Sequence, residues 1–190
     1  MKILNSFLCV TLLAALTGCG GGSGTDTDPS PDPGPGSNSN SLLPDTGQTL
    51  CFDTNGNQIT DCTGTGQDGE ININPMSFTD NGDTVTDNVT SLVWKQSDDG
   101  AGRSWADANT YCSTLGSGWR LPTRAELVSI VDFGRSSPSM DPVFSASANS
   151  YWSSSAVVYA ASNHWAVALN NNGRVTSSGN GYTYLVRCVK

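Results

Sequence analysis

The chain has 190 residues, with 9 basic against 17 acidic side chains, a net charge of −8 and a hydrophobic fraction of 36%, a balance that fits one modest domain plus unstructured extras. Only 14% of residues are charged and 21 are glycine, a turn-rich composition that argues against long helices and coiled coils. An acidic chain without a polybasic run is also unsuited to nucleic acid, whose binding rests on clustered Lys and Arg.

In chain order, Lys2 followed by the apolar run Ile3 to Leu16 reads as a signal peptide over residues 1–18, since the run is shorter than the roughly 18 residues of a spanning helix. It closes on Leu16-Thr17-Gly18-Cys19, the pattern of a bacterial lipobox, in which Cys19 is acylated with palmitate-type chains and becomes the mature N-terminus. More than one acyl chain makes such an anchor stable. Gly20 rather than Asp follows Cys19, which favours the outer membrane of a two-membrane cell. The expected address is therefore that of an outer membrane lipoprotein, on the periplasmic or the surface face. Residues 19–41 then read as a linker: Gly20 to Gly22, followed by Pro29, Pro31, Pro33 and Pro35, biased toward polyproline II and so a semi-rigid spacer.

Residues 42–77 form an expected N-terminal disulfide hairpin region. With Cys9 in the signal and Cys19 lipidated, Cys51, Cys62, Cys112 and Cys188 remain, an even number in an oxidising compartment, so two disulfides are expected. Four cysteines allow three pairings. The stretch Leu50 to Cys62 resembles a hairpin. A turn on Gly56-Asn57 sets Cys51 opposite Cys62, one on Asn55-Gly56 sets it opposite Thr60, and the cysteines favour the former. No Cys-x-x-Cys occurs, so zinc is not expected.

Short strands are predicted at Phe78 to Asp80, Thr84 to Thr86, Leu92 to Lys95, Tyr151 to Ser153, His164 to Leu169, Arg174 to Ser177 and Tyr184 to Val189, punctuated by Asn81-Gly82, Asn172-Gly173 and Gly179-Asn180-Gly181. Between the third and fourth lie two helices. Ser104 with Asp107 opens one, carrying Trp105, Ala108, Cys112 and Leu115 near one face and stopping at Gly116. Thr123 with Glu126 opens the other, with Leu127, Ile130 and Val131 as its buried stripe. Aliphatics are scarce, so the core is expected to lean on Trp94, Trp105, Trp119, Trp152 and Trp165. Two helices followed by antiparallel strands make an α+β domain.

Several of these segments recur in order in one bacterial family: Gly66-Gln67-Asp68-Gly69, Phe78 through Asn88, Leu92-Val93-Trp94, Gly118-Trp119-Arg120-Leu121-Pro122-Thr123 and Tyr151-Trp152-Ser153-Ser154. On them the chain resembles the Lcl C-terminal domain family, over residues 78–190. Trp105, Ala108, Cys112, Trp119 to Pro122 and Val186-Arg187-Cys188-Val189 also resemble the C-type lectin-like fold shared with sulfatase-modifying enzymes. That resemblance implies a bridge from Cys112 to Cys188, leaving Cys51 with Cys62. Two departures matter. Family members usually read Asn-Gly-Asp-Gly-Thr where Asp83 here runs straight into Thr84, and the calcium and sugar motifs of C-type lectins are absent, Trp165 being followed by Ala166-Val167.

Asp80, Asp83 and Asp87 around Asn81-Gly82 are the candidate metal ligands, for calcium, because a hairpin can gather oxygen donors. Asp53, Asn55, Asn57 and Asp61 echo a calcium loop but read better as a polar turn. No cofactor other than this calcium is expected. His164 reads as a hydrogen-bonding residue at a strand start. Glu126 reads as a cap rather than an acid or base, and Cys188 lacks the second cysteine that sulfatase-modifying chemistry needs, so no catalytic residues are assigned. Tyr151, Trp152, Tyr159 and Tyr182 are the aromatics considered for contact with a sugar or protein, Trp152 being better read as core. Ligand recognition is expected on a loop face between Gly134 and Asn163. The function expected is a lipid-anchored, extracytoplasmic, non-catalytic binding or adhesion module. Its expected partners are the membrane through the anchor and a glycan, matrix component or envelope protein. The alternative is an envelope structural or protein-interaction lipoprotein.

Overall fold

A computed structural model describes residues 43–190, which lie in one compact unit; the signal peptide, Cys19 and the linker lie outside the described residues. Strands β1 (Cys51–Phe52) and β2 (Gln58–Ile59) form the first hairpin. Cys51 faces Ile59 and Phe52 faces Gln58, so neither two-residue turn expected from the sequence is used. Asp53 selects the register instead. Its carboxylate accepts hydrogen bonds from the amides of Asn55 (2.9 Å) and Asn57 (2.8 Å), closing a three-residue loop in which Gly56 takes φ 82°, the left-handed position such loops require. The Cys51–Cys62 disulfide forms all the same, from a cysteine three residues beyond β2. Gln67 then acts as a side-chain rung, donating to the Phe52 carbonyl (2.7 Å) and accepting from its amide (2.9 Å). A 3₁₀ turn, Asp68–Glu70, follows.

The second sheet has the order β3 (Phe78–Asp80), β4 (Thr84–Asp87), β5 (Val93–Lys95), all antiparallel. Gly82, at φ 87°, sits first of the two central residues between Asn81 and Thr84, whose backbones bond at 2.8 Å. This closes the β3–β4 hairpin without the extra glycine the family usually carries.

Helix α1 (Trp105–Thr114) starts at Ser104, whose hydroxyl accepts the Asp107 amide. The box is only half made there, because the Asp107 carboxylate takes the Ser104 hydroxyl (2.7 Å) rather than the backbone. Helix α2 (Arg124–Ser129) has the complete reciprocal box between Thr123 and Glu126. It ends sooner than expected, so Leu127 lies on the helix while Ile130 caps it and Val131 lies beyond, all three buried. The next residues turn away to dock on the N-terminal region, where the Phe133 amide donates to the Thr46 carbonyl (2.8 Å).

The third sheet is β6 (Ser150–Val157), β7 (Ala160–Ala168), β8 (Arg174–Gly179), with irregular pairing between Trp152 and Val157. The expected strand Tyr184 to Val189 is not a ladder but a seam. Tyr184 bridges Arg103, Leu185 runs parallel to Tyr151, and Val189 bridges both Arg120 and Trp94. The sheet that precedes α1 is made of the three strands expected before the helices. The architecture is α+β, with two helices, three small antiparallel sheets and the disulfides Cys51–Cys62 and Cys112–Cys188, the second joining α1 to the C-terminal seam as the lectin-like resemblance implied.

Two apolar clusters fill it. One gathers Val85, Trp94, Leu127, Ile130, Tyr151 and Leu185 among others, and the other gathers Ala108, Leu121, Trp152 and the Cys112–Cys188 bridge. Trp94 and Trp152 are fully buried, whereas Trp105 and Trp119 pack only partly on the second cluster. Aliphatics carry more of this core than the composition suggested. No helix among the described residues is long and apolar enough to cross a membrane.

Candidate functional site

The three aspartates chosen as metal ligands have separate tasks. Asp80 accepts from the Gly82 amide (2.8 Å) and the Gln96 side chain (2.9 Å). Asp87, fully buried, caps the turn after β4 by accepting from the amides of Val89 and Thr90 and the Thr90 hydroxyl (2.6 Å). Asp83 contributes a main-chain carbonyl to the Gln96 amide. In register, Asp80 faces Val85 and Asp87 faces Phe78, two residues apart along the strands. Among the described residues, no three His, Cys, Asp or Glu are grouped so as to hold a metal ion. Asp53, read as part of a polar turn, has that role, and hydrogen bonds from Asn57 and Asn55 lower its pKa.

Carboxylates near the helices are similarly occupied. Arg120 grips Glu126 through two hydrogen bonds of 2.8 and 2.7 Å. That ion pair, with the Thr123 amide, brings the Glu126 pKa down to about 2 against the opposing effect of burial, so this group stays ionised and committed to the helix start. Asp132 accepts from the Gly134 amide and from Arg135.

Half of the expected loop face is not loop, because β6 and β7 run through residues 150–157 and 160–163. In the remainder, 134–149, Ser139, Met140 and Phe144 are buried while most of the other residues are exposed. A buried polar hub fixes it. The Arg187 guanidinium, wholly enclosed, donates to the carbonyls of Lys95 (2.7 Å), Gln96 (2.5 Å) and Ser145 (3.2 Å) and lies 3.5 Å from Asp98. Asp98 in turn accepts from the Tyr151 hydroxyl (2.5 Å) and from the Ser147 amide and hydroxyl. Burial works to raise the Asp98 carboxyl, but those hydrogen bonds and the Arg187 charge outweigh it and hold it low; burial and Asp98 together raise Tyr151. Of the four aromatics considered for contact, Tyr151 and Trp152 are therefore core, while Tyr182 and Tyr159 are exposed.

One open concavity combines aromatic and polar groups, a cleft of about 340 Å³ lined by Ser104, Trp105, Ala106, His164 and Asn180. The start of α1 supplies the first three, β7 supplies His164, and the turn after β8 supplies Asn180. The Trp105 and His164 rings are stacked, centroids 3.6 Å apart and planes 9° from parallel. Trp105 is fixed through Nε1, which donates to the Ser153 carbonyl (2.8 Å). His164 is 8% exposed, and its Nδ1 is buried without a partner. Burial lowers its pKa from the ordinary value, which keeps the ring neutral. Far from starting a strand, His164 lies within β7 opposite Ser178, whose hydroxyl meets that of Tyr184 at 2.8 Å.

The sequence reading placed Trp105 at the first helical position and His164 in a strand. No local signal pairs a helix N-terminus with a strand about 60 residues later in the chain, so the cleft itself was not foreseen. No curated protein matches the chain. Residues 83–190, more than half of the sequence, match the model of the Lcl C-terminal domain, and the chain belongs to that family.

Proposed function

We propose that this protein is a lipid-anchored, extracytoplasmic binding or adhesion module without catalytic activity. The observation that carries the reading is the Trp105–His164 cleft, an open concavity at the start of the helix that the Cys112–Cys188 disulfide holds, where a ligand meets a pre-formed surface. Two disulfides support an address outside the cytosol, where thiols are otherwise kept reduced. The sulfur of Cys188 is bonded to that of Cys112, which leaves it unsuited to the thiol chemistry of sulfatase-modifying enzymes. The anchor is Cys19, the membrane the outer one, and calcium at Asp80, Asp83 and Asp87 is no part of the proposal, because two of those carboxylates cap their own turns.

Glycan and matrix arrays probed with the full chain test the binding reading. Saturable retention of one class of ligand is expected, and silence across both arrays would reject it. For the anchor, fatty-acid labelling of cells should mark the protein, and undiminished label after Cys19→Ser at normal expression would sink that part.

A second reading, an envelope protein-interaction lipoprotein, has one specific feature in its favour. Val158 and Tyr159 at the β6–β7 tip are 101% and 82% exposed, in a stretch from Pro142 to Gly173 that contains no Asp, Glu, Lys or Arg. Such a tip meets a protein surface without desolvating charge. Crosslinking in cells from Tyr159 that traps a single envelope protein, with silent arrays, would favour this reading.

A further inference from the structure

We propose that Asn180, on the rim of the cleft between α1 and β7, is a site of spontaneous deamidation, which turns an uncharged rim acidic as the protein ages. The inference goes beyond the binding-module reading and does not depend on it.

Asparagine is among the thermolabile residues, and the sequence offers four Asn-Gly pairs, at Asn55, Asn81, Asn172 and Asn180. At such a pair the glycine amide nitrogen can attack the asparagine side-chain carbonyl carbon, because no glycine side chain crowds the approach. A C–N bond forms to the glycine nitrogen as the bond to Nδ2 breaks. The side-chain nitrogen leaves as ammonia, carrying the proton that the glycine amide gives up, and a cyclic imide remains. Water then opens the imide at either carbonyl, giving aspartate or isoaspartate and a new negative charge. Water is the only co-reactant, so local structure decides which pair reacts.

Three of the four glycine amides are engaged. Gly56 donates to the Asp53 carbonyl (3.0 Å), Gly82 to the Asp80 carboxylate (2.8 Å) and Gly173 to the Ala168 carbonyl (3.1 Å). Each nitrogen must leave its acceptor before it can turn toward the neighbouring side chain. Asn81 is held at Nδ2 as well, which donates to the Thr86 hydroxyl (3.0 Å), and Gly173 is buried so tightly that a Cβ there would fall 2.4 Å from Val131.

Gly181 differs. With Asn180 it forms the exposed centre of the turn that the Tyr182 amide closes onto the Gly179 carbonyl (3.2 Å). Among the described residues, neither the Gly181 amide nor the Asn180 side chain has a hydrogen-bond partner. Even a Cβ on Gly181 would have nothing within 4 Å, so the attack and the later entry of water meet no obstruction. Asn180 lines the cleft with Ser104 and His164, and the Asp107 carboxylate already stands 2.7 Å from the Ser104 hydroxyl. Conversion replaces a group that both donates and accepts by one that only accepts, and adds a carboxylate to a chain already at −8, which disfavours anions at this mouth.

Ageing the full chain at mildly alkaline pH, followed by peptide mapping with tandem mass spectrometry, tests the proposal. Amide-to-acid conversion at Asn180 is expected to run at least about tenfold faster than at Asn55, Asn81 or Asn172, and the four rates should converge once the chain is reduced and unfolded in guanidinium. Gly181→Ala, which the open turn accommodates at a φ outside the left-handed region, should slow conversion at Asn180 at least about tenfold with the melting temperature unchanged. His164 is the sole histidine, so its imidazole proton signal reports on the cleft. In the wild type that signal should split at the rate of Asn180 conversion, and in Gly181→Ala it should stay single. Conversion at any of the other three pairs as fast as at Asn180, the same preference in the unfolded chain, or a His164 signal that ageing leaves untouched would overturn the proposal.

Discussion

Arg187 is fully buried and serves three carbonyls that belong to β5, the residue after it and the 134–149 loop, so one side chain holds together segments far apart in sequence. Its charge is balanced mainly by Asp98. Replacing Asp98 by Ala leaves the guanidinium enclosed and unpaired, and such losses cost about 3–5 kcal/mol; chemical denaturation should show a drop near the lower end, since other oxygens still surround Arg187. Glu126 acts differently, through pH. A carboxyl whose folded pKa lies below its unfolded value adds stability that is complete above the unfolded pKa and disappears as pH falls through the folded one. The Glu126 contribution is thus whole above about pH 4.5 and lost on the way to about 2, and Glu126→Gln should flatten the stability profile in that window. His164 shows the opposing demands of folding and binding. His164→Phe keeps the stack on Trp105 and removes the unpartnered Nδ1, so it should leave stability unchanged or raise it by about 1 kcal/mol while weakening ligand binding at the cleft. A lower melting temperature for this variant would mean that Nδ1 has a partner after all.

At the scale of elements, what is written locally was legible and what is settled by distant partners was not. The α2 box was legible because Thr123 and Glu126 satisfy each other within one turn, and Thr123→Ala should cost about 1 kcal/mol, measured as a shift in the urea midpoint. A melting curve unmoved by Thr123→Ala would show that Arg120 alone anchors the helix start. The first hairpin was legible as a hairpin but not in register, since Asp53 caps its turn from outside any two-residue turn pattern. Two of the aspartates read as calcium ligands have structural tasks for a related reason. An aspartate before Gly82 and one before Val89 have amides within reach, and those local bonds satisfy the carboxylates before any ion is needed. The C-terminal segment looked like a strand because of its apolar alternation, yet it takes its backbone bonds from α1's leading edge, β6, β5 and the Arg120 region in turn. No window of sequence contains those partners, and the same is true of the cleft, whose walls come from residues 104–106, 164 and 180.

For the molecule as a whole, that seam is what the Cys112–Cys188 bridge secures. It ties α1 to the last strand-like segment across a separation of 76 residues, whereas Cys51–Cys62 spans 11 and closes only a local hairpin. In the chain-entropy model the longer loop constrains the unfolded state by roughly 4 kcal/mol and the shorter by roughly 3, both upper figures. The entropic difference is small, but the structural consequences differ, because the seam carries Arg187, Val189 and the backbone bonds to Trp152 and Val93. A Cys112→Ala/Cys188→Ala variant should therefore lose cooperative unfolding along with stability, and ligand binding at the cleft should fall with it, since Trp105 packs on the cluster around this bridge. A Cys51→Ala/Cys62→Ala variant should unfold earlier in its N-terminal region yet keep the cleft. Amide hydrogen exchange separates the two: loss of protection across α1, β5 and β6 in the first variant, and confined to residues near β1 and β2 in the second. Equal and local losses in both would mean that the core clusters hold the seam without its disulfide.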